Sequence, residues 1–555
     1  MHWGTRALAT ALLLSLALMR PVAVRTAPAA AGESYDTLVA LYNDIRADSR
    51  PTVTNGVPDL SAGAIQAQAA KIPEFRQRLA AIDPGKWPVP QRVDYLLVRA
   101  ALDNLDFQHR VLHPWSSDPG FYLDQIQRNT YVDLPVQGDR LTTLQNRLNG
   151  VPKILSQAKT NLTRGAREFA KLALYNLDHA DGVGHGMPFR DVPPPGTRGW
   201  YVDFLERAKK QQPDLVPAAE KALAAVDDFR GWMKQQAPQM RAPSGVGRDN
   251  FNWYLKHVRY MPYTMEDSVK VGDREYERAM AFLALERNKN RNLPEIALPT
   301  SKDEYEKRQH DAEDDMRDFI RKNDILTIPD YASGYLHQNV PWIVRASGKR
   351  NFWEEIQYRD PRPDTAHATL PGHSFDGVVH QHDKRPIRGS FGDSGRTEGW
   401  GFYLEEGMLQ LGFIDSRPRT KELFYIFQAA RGVRDRAEAK LHSNEWTVDQ
   451  TVKFMVEKVP YMDDDVARVD AEIYLKSPTY GLSYQMGKME MLKLLGDRKH
   501  QLGDKFNLKE FHDQFLAAGT IPISLIRWEM TGLDDEVKEF WATPRPSPAR
   551  KTTTP

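Results

Sequence analysis

Apolar residues recur at three- and four-residue steps along most of the chain. In "SYDTLVALYNDIRADSR", Leu38, Leu41 and Ile45 share one helical face behind Ser34, which predicts a helix with Ser34 as N-cap. The same spacing predicts helices in "VDYLLVRAALDNLDFQHRVL", "LTTLQNRLNGVPKILSQAKTNL", "PDLVPAAEKALAAVDDFRGWMKQQ", "SKDEYEKRQHDAEDDMRDFIRKN" and "TKELFYIFQAARGVRDRAEAKLH". Alternation of period two is scarce. It marks only "ILTIPDY" and the region of "NFWEEIQY" as short strands. No fixed-period repeat emerges, so a solenoid is not expected. The expected fold class is mainly α.

Pro- and Gly-rich breaks fall at "HGMPFRDVPPPGTRG" and "QAPQMRAPSGVGRDN". The second separates an N-terminal helical part, residues 32–243, from a C-terminal part, residues 244–543. The end, 544–555, has the composition of a disordered tail. The start differs from everything after it. "MHWGTR" is basic, "ALATALLLSLALM" is apolar but short for a bilayer, and "APAAA" offers small residues for cleavage. Residues 1–31 therefore read as a secretory signal cleaved near Ala29 to Ala31. A retained membrane anchor is the alternative reading.

Charge and cysteine usage narrow the classes. With 75 Lys+Arg against 74 Asp+Glu and no long basic run, nothing points to nucleic acid. The sequence holds 0 Cys, so disulfides and a lipid-modified cysteine are both excluded. An exported, cysteine-free protein suits a bacterial periplasm or exterior, with no stable membrane insertion once the signal is removed.

Candidate chemistry concentrates in "HATLPGHSFDGVVHQH", which carries His367, His373, His380 and His382 out of 15 histidines. Zinc takes His nitrogen and carboxylate oxygen, and a catalytic site keeps one position open. His367 and His373 are six apart, a rotation of ~240° on a regular helix, so they share an ion only if Pro371-Gly372 breaks the helix between them. Downstream, "TEGWGFYLEEG" places Glu398 and Glu405 on one face of a helix that Thr397 could cap. Either carboxylate could complete a two-His-one-Glu set, with Glu398 the preferred ligand. The bland alternative is a pair of surface or supporting histidines beside an ordinary helix. His380 and His382 read as a solvated face, although Asp376 and His380, at i and i+4, could join His373 in a rearranged set.

"HATLPGH" followed by "TEGWGFYLEE" resembles the motif pair of the bacterial domain-of-unknown-function 885 family, His-Glu-x-x-Pro-Gly-His-x-x-Gln and Glu-Gly-Trp-Ala-x-Tyr-x-Glu. "RDRAEAKLHSNEWTVDQTVKFM", with Arg434, Glu438, His442 and Trp446, is similar to its Arg-x3-Asp-x3-His helix. "YLKSPTYGLSYQMGKMEML", with Tyr474, Pro478, Tyr484 and Gly487, is similar to a later segment. "EDSVKVGDREYERAMAFLA" and "FHDQFLAAGTIPISLI" extend the likeness over roughly residues 35 to 540.

The resemblance implies a large helical fold with a deep central cleft, similar to helical gluzincin-type metallopeptidases. It implies a Zn2+ site of His367, His373 and Glu398, and a peptide or peptide-like small substrate. His442 and Tyr484 would lie near the substrate, where a donor stabilises a tetrahedral oxyanion. Three departures from the pattern bear on the chemistry: Ala368 stands where the family has the Glu after its first His, Asp376 replaces its Gln, and Glu438 its Asp. A Glu in that place is a general base, worth ~10²–10⁴-fold. Ala368 has no proton acceptor, so hydrolysis is expected to be impaired or rerouted through Asp376, Asp383 or Glu405. The other expectation is a non-catalytic periplasmic binding or scaffold protein that reuses the fold.

Overall fold

The computed structural model describes residues 34–179, 193–336, 340–343 and 348–541. The expected signal, 1–31, and the expected tail, 544–555, lie outside the described residues. The fold is mainly helical, as the periodicity predicts. The six predicted helices form, as Tyr35–Asp48, Val89–Phe107, Gly138–Asn161, Val216–Gln236, Lys302–Lys322 and Pro418–His442. Ser34 holds the N-cap position of the first with extended backbone, but its side chain makes no capping hydrogen bond.

Neither predicted strand exists. Residues 325–329 are irregular backbone whose Ile325 and Leu326 are buried in the core. "NFWEEIQ" is instead a short helix, Phe352–Gln357, because Asn351 and Glu354 form a capping box. Local side-chain hydrogen bonds there overrule the apolar alternation. Among the described residues, β structure is confined to one isolated bridge and a hairpin, Val53–Thr54 against Val57–Pro58. Asn55 and Gly56 close the hairpin at φ 51° and 76°. Both central residues of such a turn need positive φ, and Asn-Gly supplies it at low cost.

Three large cores hold the helices. One joins Leu38, Leu41 and Leu96 to Trp400, Leu404 and Ile526. A second lies among Gly138–Asn161, Arg167–Asp178, Gly196–Gln211 and Val216–Gln236, around Leu148, Tyr201 and Phe229. The third packs Met265–Lys289 and Pro418–His442 against Val448–Lys458 and Asp464–Lys476, around Phe427, Val433 and Tyr474. Each fully buried Leu or Phe contributes about 1.5–3 kcal/mol. Caps fix where these helices begin. Thr264 accepts the N–H of Asp267 at 3.2 Å while Asp267 accepts that of Thr264 at 3.1 Å, and Thr447 and Gln450 do the same for Val448–Lys458.

Glycine sets how closely the helices Ser394–Gln410 and Tyr480–Leu502 cross. A Cβ on Gly399 would lie 2.5 Å from Gly487 Cα, and one on Gly487 would lie 2.1 Å from Gly395 O. The two backbones touch without side chains between them. Gly487→Ala sets two effects against each other. Helix propensity would gain ~0.5–1 kcal/mol, but overpacking typically costs ~1–3 kcal/mol. A backbone oxygen at 2.1 Å has no flexible end to move aside, so packing wins. The expected result is a net loss of stability, read as a lower urea midpoint with unchanged slope.

Candidate metal centre

His367 sits in a π-helical turn, Thr365–Thr369, and the helix His373–Gln381 starts afresh after Leu370 leaves the helical region. The irregular segment that six-residue spacing demands is therefore present. Gly372 makes the return possible: a Cβ there would lie 1.8 Å from the carbonyl oxygen of His367. Ser374 Oγ donates to Ala368 O at 3.0 Å, and Trp400 Nε1 donates to Pro371 O at 3.0 Å. The second bond ties the break to the helix Ser394–Gln410. Asp393, not Thr397, caps that helix, accepting the N–H of Arg396 at 2.9 Å.

The two imidazoles meet almost at right angles, 82°, with ring centres 4.6 Å apart. Both turn Nε2 toward the same oxygen of Glu398, His373 at 3.1 Å and His367 at 3.4 Å. One atom from each of His367, His373 and Glu398 lies within 4.8 Å of the other two. The other nitrogen of His367, Nδ1, is 2.8 Å from Glu405 Oε1, a close but bent contact. Glu405 is fully buried and itself faces Arg431 at 3.3 Å and Gln428 at 3.3 Å. It is thus not the spare base its spacing suggested. It stands behind His367, the place from which carboxylates orient imidazoles that bind a metal. Gly401 makes room for this, since a Cβ there would lie 2.9 Å from the His367 ring. The family pattern has Ala at that place.

Tyr480 completes the centre and was not picked out from the sequence. Its hydroxyl donates to Glu398 Oε1 at 2.6 Å. Tyr484, expected near the site, donates to the Tyr480 hydroxyl at 3.4 Å, and its ring lies parallel to His367, 12° and 5.9 Å away. Arg434 and Arg431 stack over the Tyr484 ring at 4.3 Å and 5.1 Å. The signal for Tyr480 was its place four residues before Tyr484, which puts both hydroxyls on one helical face.

The electrostatics couple the two histidines to the carboxylates. Burial pushes the Glu398 carboxyl up, but His373 and His367 outweigh it and hold the group well below the usual range. Burial works against a charged His367, yet Glu398 and Glu405 overcome it and raise its pKa. Burial raises Tyr480 and Tyr484, so both hydroxyls remain donors. His373 Nδ1 is buried without a hydrogen-bond partner. Two imidazoles and one carboxylate, with a second carboxylate behind, could hold a divalent ion of the zinc type. Glu405→Gln keeps the shape but removes the charge behind His367. It is expected to weaken metal binding by ~10–100-fold, read by competition with a chromophoric chelator.

Other expected site residues fall elsewhere. Asp376 is buried in an ion pair with Arg396. His380 Nδ1 meets Thr520 Oγ1 at 3.2 Å, and His382 stacks on Tyr331 at 3.9 Å. These residues, with Asp383, line a separate cavity of about 260 Å³. Among the described residues, no other three His, Cys, Asp or Glu side chains converge on a common point. The rearranged set of Asp376, His380 and His373 therefore does not form. His442 is fully buried, with Nδ1 accepting the N–H of Val246 at 3.3 Å and Nε2 2.9 Å from Tyr474 O. Both ring nitrogens contact backbone, and Nε2 also lies 4.0 Å from Glu438 Oε1, so the ring is engaged inside the fold. Glu438 accepts the N–H of Leu482 at 2.9 Å and so caps the helix that carries Tyr480. A cavity of about 980 Å³ is lined by Asp124, Arg128, Arg147, Trp200 and Glu472, far along the chain from the histidines. No residue of the centre lines it, and ligand chemistry rather than volume identifies the site.

Fold and centre together define a helical protein with a histidine–histidine–carboxylate cluster. The chain belongs to the family described as bacterial protein of unknown function, DUF885, whose profile matches residues 46–325 and 353–530. It is similar in fold to a candidate lipoprotein of unknown function from Shewanella oneidensis, with a TM-score of 0.68 and 16% identity over 90% of this chain and 100% of that one. A candidate lipoprotein from Colwellia psychrerythraea is also similar, with a TM-score of 0.67 and 17% identity over 89% and 98%. Among curated proteins none matches the chain.

Proposed function

We propose that the chain is an exported, metallopeptidase-like protein whose His367, His373 and Glu398 hold a zinc ion beside a bound peptide. The observation that carries this reading is the meeting of His367 Nε2 and His373 Nε2 on one Glu398 oxygen, with Glu405 behind His367. Zinc bound there would supply a Lewis acid for a scissile carbonyl. The chain's own residues do the rest. Glu405 orients His367, Glu398 balances charge, and the Tyr480 hydroxyl is the donor nearest the centre, placed to bond a peptide oxygen once it swings from Glu398. Ala368, only 3% exposed, offers a methyl where a proton acceptor is needed, so turnover is slow. Export accords with the basic-then-apolar start and with the two lipoprotein relatives, although this sequence has 0 Cys to carry a thioether lipid. Among the described residues no helix is long and apolar enough to cross a membrane.

Ala368 also favours a second reading, a non-catalytic peptide-binding protein of the periplasm. Metal analysis of protein purified without chelators, alongside turnover of a mixed peptide library, tests both. About one zinc per chain with slow cleavage is expected. Zinc without any cleavage selects the second reading, and absence of bound metal defeats the first.

A further inference from the structure

The helices Met265–Lys289, Pro418–His442 and Tyr480–Leu502 meet at a second polar junction that the histidine centre does not use. Glu438 and Asp435 are fully buried, one turn apart on the middle helix. Glu438 spends one oxygen on the Leu482 N–H, and its Oε1 has no hydrogen-bond partner. Neither oxygen of Asp435 has one. On the facing helix Gln485 is fully buried, and neither its amide oxygen nor its nitrogen is bonded.

The register brings these groups to one level. Leu482 lies opposite Glu438, the Arg434 guanidinium lies over the Tyr484 ring, and Lys488 Nζ is 3.5 Å from Gln428 Oε1. The two helices are therefore antiparallel. Gln485, three residues beyond Leu482, steps to the level of Asp435, three residues before Glu438. From the third helix Gly272 makes room for the Asp435 side chain: a Cβ there would lie 2.8 Å from Asp435 Oδ2. The neighbouring positive charges are engaged elsewhere, Arg434 with Asp470 at 2.9 Å and Arg259 with Asp393 at 3.3 Å, and His442 Nε2, 4.0 Å from Glu438 Oε1, lies closer to Tyr474 O at 2.9 Å.

Native interiors leave few buried polar atoms unbonded, and a buried carboxylate without a counter-charge is costly. Here Asp435, Glu438 and Gln485 together leave four oxygens and a single amide nitrogen unbonded. An oxygen-only donor set with two carboxylates selects a hard cation, not zinc. We propose that this junction is a structural site for a calcium-class cation, held by Asp435, Glu438 and Gln485 and independent of the histidine centre. In its absence burial pushes both carboxyls up, Glu438 to about 8 and Asp435 well above the ordinary range, so protons compete with the cation.

The test strips the full chain of metal, restores zinc, and titrates Ca2+ by calorimetry with a parallel melting curve. About one further equivalent of Ca2+ and a rise in melting temperature are expected, persisting in His373→Ala and lost in Gln485→Leu and Asp435→Asn. If those variants do not fold, crystals of the native protein soaked in a terbium salt decide. An anomalous peak at ~2.3–2.6 Å from the Asp435 and Gln485 oxygens supports the site. Water alone there, a direct Asp435–Gln485 hydrogen bond, or a melting temperature indifferent to Ca2+ overturns it.

Discussion

His373→Ala is expected to abolish stoichiometric metal binding while leaving the fold intact. His373 begins its helix at the rim of the centre, with its side chain 26% exposed, so its loss opens no deep cavity. Its Nε2 nevertheless is one of the three atoms that could hold the ion. A three-ligand site reduced to two holds a divalent ion far more weakly, by more than the ~10–100-fold that supporting residues contribute. Equilibrium dialysis of native and variant protein against buffered zinc, with circular dichroism as the check on folding, reads the outcome. Native-like affinity in the variant would mean that the ion, if any, sits elsewhere. His367→Ala is a poorer probe, because His367 is buried and its removal leaves Glu405 and Arg431 facing a void.

The two histidines also show where the sequence is legible. Leu38, Leu41 and Ile45 declare a helix because its period is written in the sequence. The break at Pro371-Gly372 is legible too, since few other residues make a helix stop and return. Beyond that, long-range geometry decides. Glu398 and Glu405 share a helical face, and spacing could not say which one binds the ion. The fold sets His367 between them, one carboxylate at each ring nitrogen, and brings Glu398 also against His373. Tyr480 lies 82 residues from its partner Glu398, and its role depends on the glycine-lined crossing at Gly399 and Gly487. His442 illustrates the converse. A motif placed it near a substrate, whereas both its nitrogens serve the backbone of other segments. "NFWEEIQY" misled because alternation over a few residues is weaker than a capping box, and the hairpin at Asn55-Gly56 was signalled by a dipeptide alone.

Ala368→Glu is expected to raise peptide hydrolysis by ~10²–10⁴-fold, the usual contribution of a general base. The substitution is local and its chemistry is specific. Residue 368 follows His367 within the π-helical turn, and its carbonyl is already fixed by Ser374. Buried at 3% exposure, a new carboxylate costs stability unless it has a counter-charge. The ion held by His367, His373 and Glu398 would provide one, so the variant should be stable when loaded with zinc and destabilised when stripped. That coupling separates a working base from a merely tolerated side chain. Rate and melting temperature are measured together, with and without metal. A rise in rate confined to the zinc-loaded variant means that Ala368 alone silences the centre. No rise, despite full zinc occupancy, means that the surrounding residues no longer place a peptide for cleavage. Native protein that already turns over as fast as the variant would show that Glu is dispensable, and that the proton leaves by another route.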